Sequence, residues 1–251
     1  MLTVDGVSRS FGGVYAVRDV SLDIADGEAR GIIGPNGAGK STLFNLITGH
    51  LPADHGTISM RSTPLNRLAP HRRAGLGMSI VFQGARVFRG MTVRENVMVG
   101  AHTRGRTGFA AAALRLPPHR RDEREIARRA DEALARVGLG AWAGHQAGLL
   151  PLGQQRSMQV ARALCAQPSL LLLDEPASGL RAAEREALAV LIEELKADGL
   201  TIMLIEHDVA FVTRLADRIT VLDLGRVIAE GTPGEVRADP LVVSAYLGDA
   251  S

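Results

Sequence analysis

At 251 residues, with 46% apolar and 22% charged side chains, the chain has the make-up of a folded protein able to bury a substantial core, which excludes a disordered or fibrous chain. The formal net charge is only +2, Cys165 is the sole cysteine, and no apolar run approaches the roughly 20 residues of a membrane-spanning helix, so a disulfide framework and a spanning helix are excluded. The opening MLTVDGVSRS lacks the basic-then-apolar pattern of a secretory leader, and the reading is one domain with subdomains, 1–251, in a reducing compartment, meeting any membrane only through a partner.

Strand-like stretches open the sequence, Leu2 to Val7 and Tyr15 to Ile24, with Asp26-Gly27 as a turn signal. Ala29 to Ile33, a glycine-rich turn and an amphipathic run through Leu43, Leu46 and Ile47 ending at Gly49 then read as strand, loop and helix. From about Thr92 to Gly148 the pattern turns helical, opening on the capping-box spacing of Thr92 and Glu95. Within it, Thr103 to Pro118 mixes Gly, Ala, Arg and Pro and is expected to be irregular, with a second helix from about Asp122 to Val137. The arginines here (Arg104, Arg106, Arg115, Arg120, Arg121, Arg124, Arg128, Arg129) are interleaved with acidic residues and lack aromatic partners for base stacking, so they read as a solvated helical face and no nucleic acid is expected as a partner.

From Gln154 the α/β rhythm resumes with a helix to about Gln167, stopped by Pro168, and an apolar strand from Leu170 to Leu173. A helix through Leu188, Leu191, Ile192 and Leu195 closes at Gly199. Thr201 to Ile205 and Ile219 to Leu222 are further strand-length apolar runs, as expected of a parallel sheet covered on both faces.

Two motifs carry chemistry. Gly34-Pro35-Asn36-Gly37-Ala38-Gly39-Lys40-Ser41 satisfies G-x-x-x-x-G-K-[ST] between an apolar strand and a helix, the spacing of a phosphate-binding loop. There the backbone can curl around a β-phosphate, the free amides of the helix start point at the anion, Lys40 adds a full charge and Ser41 offers a hydroxyl to Mg²⁺. Leu170 to Leu173 followed by Asp174 and Glu175 is a buried strand ending in two carboxylates at the end of an α/β sheet where ligands bind. Asp174 is expected to assist Mg²⁺; Glu175, taken as the next strand residue on the opposite side, is expected to face the γ-phosphate and orient or deprotonate the attacking water.

In order and spacing these motifs, with those that follow, resemble the ABC ATPase family over nearly the whole chain. The resemblance implies an α/β fold, a RecA-like P-loop NTPase core with an antiparallel β-subdomain (about 1–86 and 157–251) and an inserted helical subdomain (about 87–156). It implies ATP held by Asn36, Gly37, Ala38, Gly39, Lys40, Ser41 and Thr42, with Phe11 stacked on adenine. Gln83 in Val81-Phe82-Gln83 is then the residue that touches Mg²⁺ and senses a membrane partner, and His207 in Ile205-Glu206-His207-Asp208 the switch histidine, on a turn whose following helix Asp208 can cap.

The signature segment departs from the common LSGGQ form. It reads Leu150-Pro151-Leu152-Gly153-Gln154, with Gly153 and Gln154 retained but a proline at the serine position and a leucine at the first glycine. One charge-assisted hydrogen bond to a facing γ-phosphate is missing, about 1.5–3 kcal/mol, which weakens the site without abolishing it. The loop Ala177-Ser178-Gly179-Leu180-Arg181 departs from common forms as well.

Phe11-Gly12-Gly13, Ser41 to Gly49, Met91 to Asn96, Gln154-Gln155, Ile205 to Asp208 and the tail Gly231 to Gly248 look like the hydrophobic amino-acid importers, which resemble the branched-chain systems. The implied partners are a second ATPase subunit, in a heterodimer or as the alternative a homodimer, integral membrane permease subunits and, indirectly, a solute-binding protein at the cytoplasmic face of the cell membrane. The cargo implied is branched-chain or related amino acids, with urea, amides or other small polar solutes left open; alternatives are a lipopolysaccharide-type exporter, a non-transport ABC ATPase, and a phosphate-loop kinase or GTPase, the last having no reason to carry the Gly153-Gln154 segment.

Overall fold

The computed structural model describes residues 1–84, 86–104 and 117–247. Strands β1 (Leu2–Phe11) and β2 (Val14–Ile24) pair antiparallel across Gly12-Gly13, and β4 (His55–Met60) and β5 (Thr63–Pro64) extend this sheet in the order β2-β1-β4-β5. A second sheet has the order β10-β9-β3-β8-β7-β6, formed by β3 (Ala29–Ile33), β6 (Met78–Val81), β7 (Leu170–Asp174), β8 (Thr201–Ile205), β9 (Arg218–Asp223) and β10 (Arg226–Gly231). All of its pairings are parallel except that of the edge strand β10 with β9. Every residue of β3 and β8 is buried, Arg30 and Thr201 included, as in a parallel sheet covered on both faces.

The helices are α1 (Lys40–Thr48), α2 (Pro70–Gly75), α3 (Val93–Met98), α4 (Pro117–Arg136), α5 (Leu152–Cys165), α6 (Ala182–Ala197), α7 (Val209–Leu215), α8 (Pro233–Ala238) and α9 (Pro240–Leu247). Thr92 caps α3 with a reciprocal box, its hydroxyl accepting from Glu95 N while the Glu95 carboxylate accepts from Thr92 N. Helix α4 begins five residues before the expected Asp122, because a proline in the first turn gives up only an amide that has no intrahelical partner. Helix α5 starts at Leu152 and not Gln154, and ends at Cys165 because Gln167 adopts a left-handed φ of 49° ahead of Pro168. Most of the irregular stretch expected from Thr103 to Pro118 lies outside the described residues.

Three apolar clusters hold the fold. One lies between the two sheets around α1, with Leu43, Phe44 and Ile47 against Val4, Ile32 and Met203. A second packs Leu188, Leu191, Ile192 and Val212 on the other face of the parallel sheet. The third joins α3 and α4 through Val97, Ala130 and Leu134. Helix α5 belongs to two of them, giving Met158, Ala161 and Cys165 to the helical cluster and Val160 and Ala163 to the sheet. No helix among the described residues is long and apolar enough to cross a membrane.

Candidate functional site

The turn between β3 and α1 is built for close approach. Gly39, the residue preceding α1, has φ 99°, and a side chain there would collide with the Ala16 carbonyl oxygen. Glycine at this position lets β2 support the loop from behind. Gly225 N donates to Ala38 O at 3.1 Å from the β9–β10 turn, a second brace. Because Leu43 N makes the first helical bond, to Gly39 O at 2.8 Å, the amides of Lys40, Ser41 and Thr42 open α1 without helical acceptors. Asn36, Gly37, Ala38, Gly39, Lys40, Ser41 and Thr42 line a cleft of about 200 Å³ together with Ala16 and Glu175. Lys40 is 7% exposed, and its Nζ donates to Gly34 O at 2.6 Å and Pro35 O at 2.8 Å, which lays the ammonium along the loop. Burial pulls its pKa down, opposed by the charges of Glu175 and Asp174.

Glu175 reaches this cleft by a route other than strand alternation. Strand β7 stops at Asp174, and Glu175 has a left-handed φ of 43°, with its N–H donating to Ile205 O at 2.9 Å. Glu175 therefore does not point across a strand from Asp174, as expected from sequence; a turn residue held by β8 re-aims it. Gln83 Nε2 donates to Glu175 Oε2, and His207 Nδ1 lies 3.9 Å from the same oxygen. The His207 side chain is 61% exposed, on the turn between β8 and α7 that Asp208 caps through Phe211 N at 3.1 Å. The Asp174 carboxyl is pushed up to about 6, first by burial and then by the neighbouring Glu175 charge, with Lys40 acting the other way.

Two adjacent acids facing one lysine leave room for further positive charge. Ser41, Asp174 and the amide oxygen of Gln83 supply hydroxyl, carboxylate and carbonyl donors, the hard oxygen set that suits magnesium, which keeps its waters and takes one or two carboxylates beside substrate phosphates. Among the described residues no group of three His, Cys, Asp or Glu side chains could hold a metal on its own.

Other expected site residues lie apart from this cleft. Phe11, at the end of β1, is 47% exposed with the Arg9 guanidinium 5.0 Å from its ring centroid, and it does not line the phosphate-loop cleft. Gly153 and Gln154 open α5 and line a different cleft with Leu180, Arg181 and Glu184. Gly153 is buried, and a side chain there would collide with Glu184 Oε1, so its smallness is used inward, against α6. Pro151 and Leu152 are exposed at the helix start, where neither presents a side-chain donor.

Sequence reasoning passed over three contributors. Ala16 shapes the loop with a backbone oxygen, which no residue type announces. Arg162 on α5 donates to Asn96 O at 2.9 Å, Asn96 Oδ1 at 2.8 Å and Arg86 O at 2.7 Å, tying the segment after Gln83 to the signature helix. Glu206, beside His207, is 1% exposed, although a glutamate between a strand and a turn ordinarily reads as solvated.

Residues 17–178 match the family described as ABC transporter, and residues 226–251 match the branched-chain amino acid ATP-binding cassette transporter family. The chain is similar to the high-affinity branched-chain amino acid transport ATP-binding protein LivG of Salmonella typhimurium (strain LT2), 43% identical over 251 residues, 100% of this chain and 98% of that one. Among solved structures it resembles the ADP conformation of MJ1267, an ATP-binding cassette of an ABC transporter, with TM-score 0.86 and 31% identity over 99% of this chain and 98% of that chain. It also resembles the dimeric post-hydrolysis state of the cassette MJ0796 bound to ADP and Pi, with TM-score 0.77 and 27% identity over 93% and 99% of the two chains.

Proposed function

The chain belongs to the ABC transporter family, whose cassettes hydrolyse ATP, and on that premise we propose that it drives import of branched-chain or related amino acids from the cytoplasmic face of the cell membrane. The observation that carries the catalytic part is the meeting of Lys40, Glu175, Gln83 and His207 at the carboxyl ends of β3, β6, β7 and β8. The full-length similarity to LivG and the match over residues 226–251 support the choice of amino acids.

In this reading the α1 amides and Lys40 hold the β- and γ-phosphates, and Phe11 stacks on adenine. Glu175 accepts a proton from the water that attacks the γ-phosphorus as the bond to the β-bridging oxygen breaks. His207 contacts the γ-phosphate, a charge-assisted bond when its ring is protonated. Ser41, Asp174 and Gln83 would hold a magnesium ion, which supplies positive charge to the phosphate oxygens when bound. Gln83 changes partners as the site fills, releasing Glu175, and this links the site to permease subunits.

The partner ATPase supplies a facing α5-type helix start over the phosphates, and this chain offers its own in return. Its Pro151-Leu152 segment gives that return contact no hydroxyl, which supports a heterodimer with unequal sites. Glu175→Gln keeps shape but removes the base. Turnover is expected to fall by about 10²- to 10⁴-fold while MgATP stays bound and a closed dimer accumulates, read by phosphate release and gel filtration. Wild-type turnover in that variant would remove Glu175 from the mechanism.

A further inference from the structure

The residue between β8 and His207 is a glutamate in an expensive place. Glu206 is 1% exposed, and no lysine or arginine among the described residues lies within ion-pair distance of it. A carboxylate withdrawn from water costs several kcal/mol unless strong partners compensate, and a serine or asparagine could satisfy one backbone amide more cheaply. The partners that Glu206 does have lie on two different loops. Its Oε1 accepts from Ala177 N at 2.9 Å, at the start of the loop that runs from Glu175 to Arg181. Its Oε2 accepts from His207 N at 3.3 Å and lies 3.5 Å from His207 Nδ1. Its own N–H donates to Ile32 O at 3.4 Å, at the end of the strand that leads into the phosphate loop.

A fourth element faces the same place. Arg156 on α5 is buried, donates to Phe82 O at 3.2 Å beside Gln83, and feels the negative charge of Glu206. Its Nε has no hydrogen-bond partner among the described residues. A single carboxylate thus sits where the switch turn, the loop after Glu175, the phosphate-loop strand and the signature helix come together, although it does not line the phosphate-loop cleft.

We propose that Glu206 is a positioning residue for hydrolysis, a buried clamp that makes the loop Ala177–Arg181 move with His207. This rests on the reading that His207 meets the γ-phosphate and that the start of α5, whose cleft Leu180 and Arg181 share with Gly153 and Gln154, faces the second protomer. Loss or gain of the γ-phosphate at His207 then shifts Ala177 through the two oxygens of one rigid carboxylate. The nucleotide state of one site thereby reaches the cleft that Leu180 and Arg181 share with the α5 start. The charge is part of the device, since only a carboxylate accepts on both oxygens.

Glu206→Gln in the full chain is the test, because it preserves size but turns one of the two acceptors into a donor. The expected result is a fall in kcat of about tenfold or more with the KM for ATP changed by less than about threefold, and an unfolding temperature close to wild type, since removal of a buried charge offsets the one backbone amide left without its acceptor. A part-structural variant, Glu206→Asp, keeps the charge but is one methylene short, and is expected to fall between the two. Wild-type kcat in Glu206→Gln overturns the proposal. So does a loss of kcat that is matched by a lowered unfolding temperature, which marks a purely structural role. His207→Ala and Glu175→Gln are measured alongside: wild-type turnover in both overturns the proposal together with the reading beneath it, whereas their inactivity beside an active Glu206→Gln sinks the clamp alone.

Discussion

Glu175 is the residue at which stability and chemistry pull apart. Its φ of 43° belongs to a region that costs a residue with a Cβ about 1–2 kcal/mol, and the turn is kept there by the bond from Glu175 N to Ile205 O. Glu175→Gly is therefore expected to raise the free energy of unfolding by about 1 kcal/mol in a urea titration while abolishing turnover. An unchanged or lowered unfolding midpoint would show that the conformation is not strained. The residue types of this site were readable from sequence, since Lys40, Ser41, Asp174 and Glu175 stand in motifs whose spacing has a mechanism. The route by which Glu175 reaches the cleft was not readable, because a positive φ on a glutamate leaves no trace in the residue pattern. Glu206 escaped for a related reason: its burial depends on a partner amide at Ala177, 29 positions away.

At the scale of the element, the parallel strands β3, β7, β8 and β9 and the long helices were legible because their apolar runs and periodicity are strong, and the capping box at Thr92 and the Asp208 cap were legible because each is a local exchange of hydrogen bonds. Strands β4, β5, β6 and β10 and helices α2, α8 and α9 went unread, being short and stabilised by what they pack against. Helix α2 shows what such a piece can do. Its Arg73 is 2% exposed and donates to Leu46 O at 2.7 Å, Ile47 O at 2.6 Å and Leu68 O at 2.9 Å, so it caps the carboxyl end of α1 with no acidic partner among the described residues. Arg73→Ala leaves those carbonyls unpaired and opens a void against Gly49; a loss of about 3 kcal/mol is expected in denaturant unfolding. Nucleotide affinity should weaken as well, because α1, the helix proposed to hold phosphate at its start, is then loosened at its other end. A loss below about 1 kcal/mol would mean that water replaces the guanidinium there.

For the molecule as a whole, the departures at Pro151 and Leu152 set the expectation of two unequal sites in the assembly. The purified chain is expected to hydrolyse ATP at least about tenfold more slowly than a mixture with the proper second ATPase subunit, since one missing charge-assisted bond is worth that much. Equal rates for the chain alone and the complete transporter would instead favour a symmetric pair. The same global view gives the sheet order a further meaning. Strand β3, which leads into the phosphate loop, pairs on one side with β8 and on the other with β9, while its neighbours in sequence belong to the other sheet. During synthesis Ala29–Ile33 emerges early, yet both of its hydrogen-bonding neighbours lie in Thr201–Asp223 and are still being made or are sheathed in the ribosomal exit tunnel. The nascent chain thus carries β3 unzipped until Thr201–Asp223 has left the tunnel, and the loop that follows the strand gains its sheet support only then.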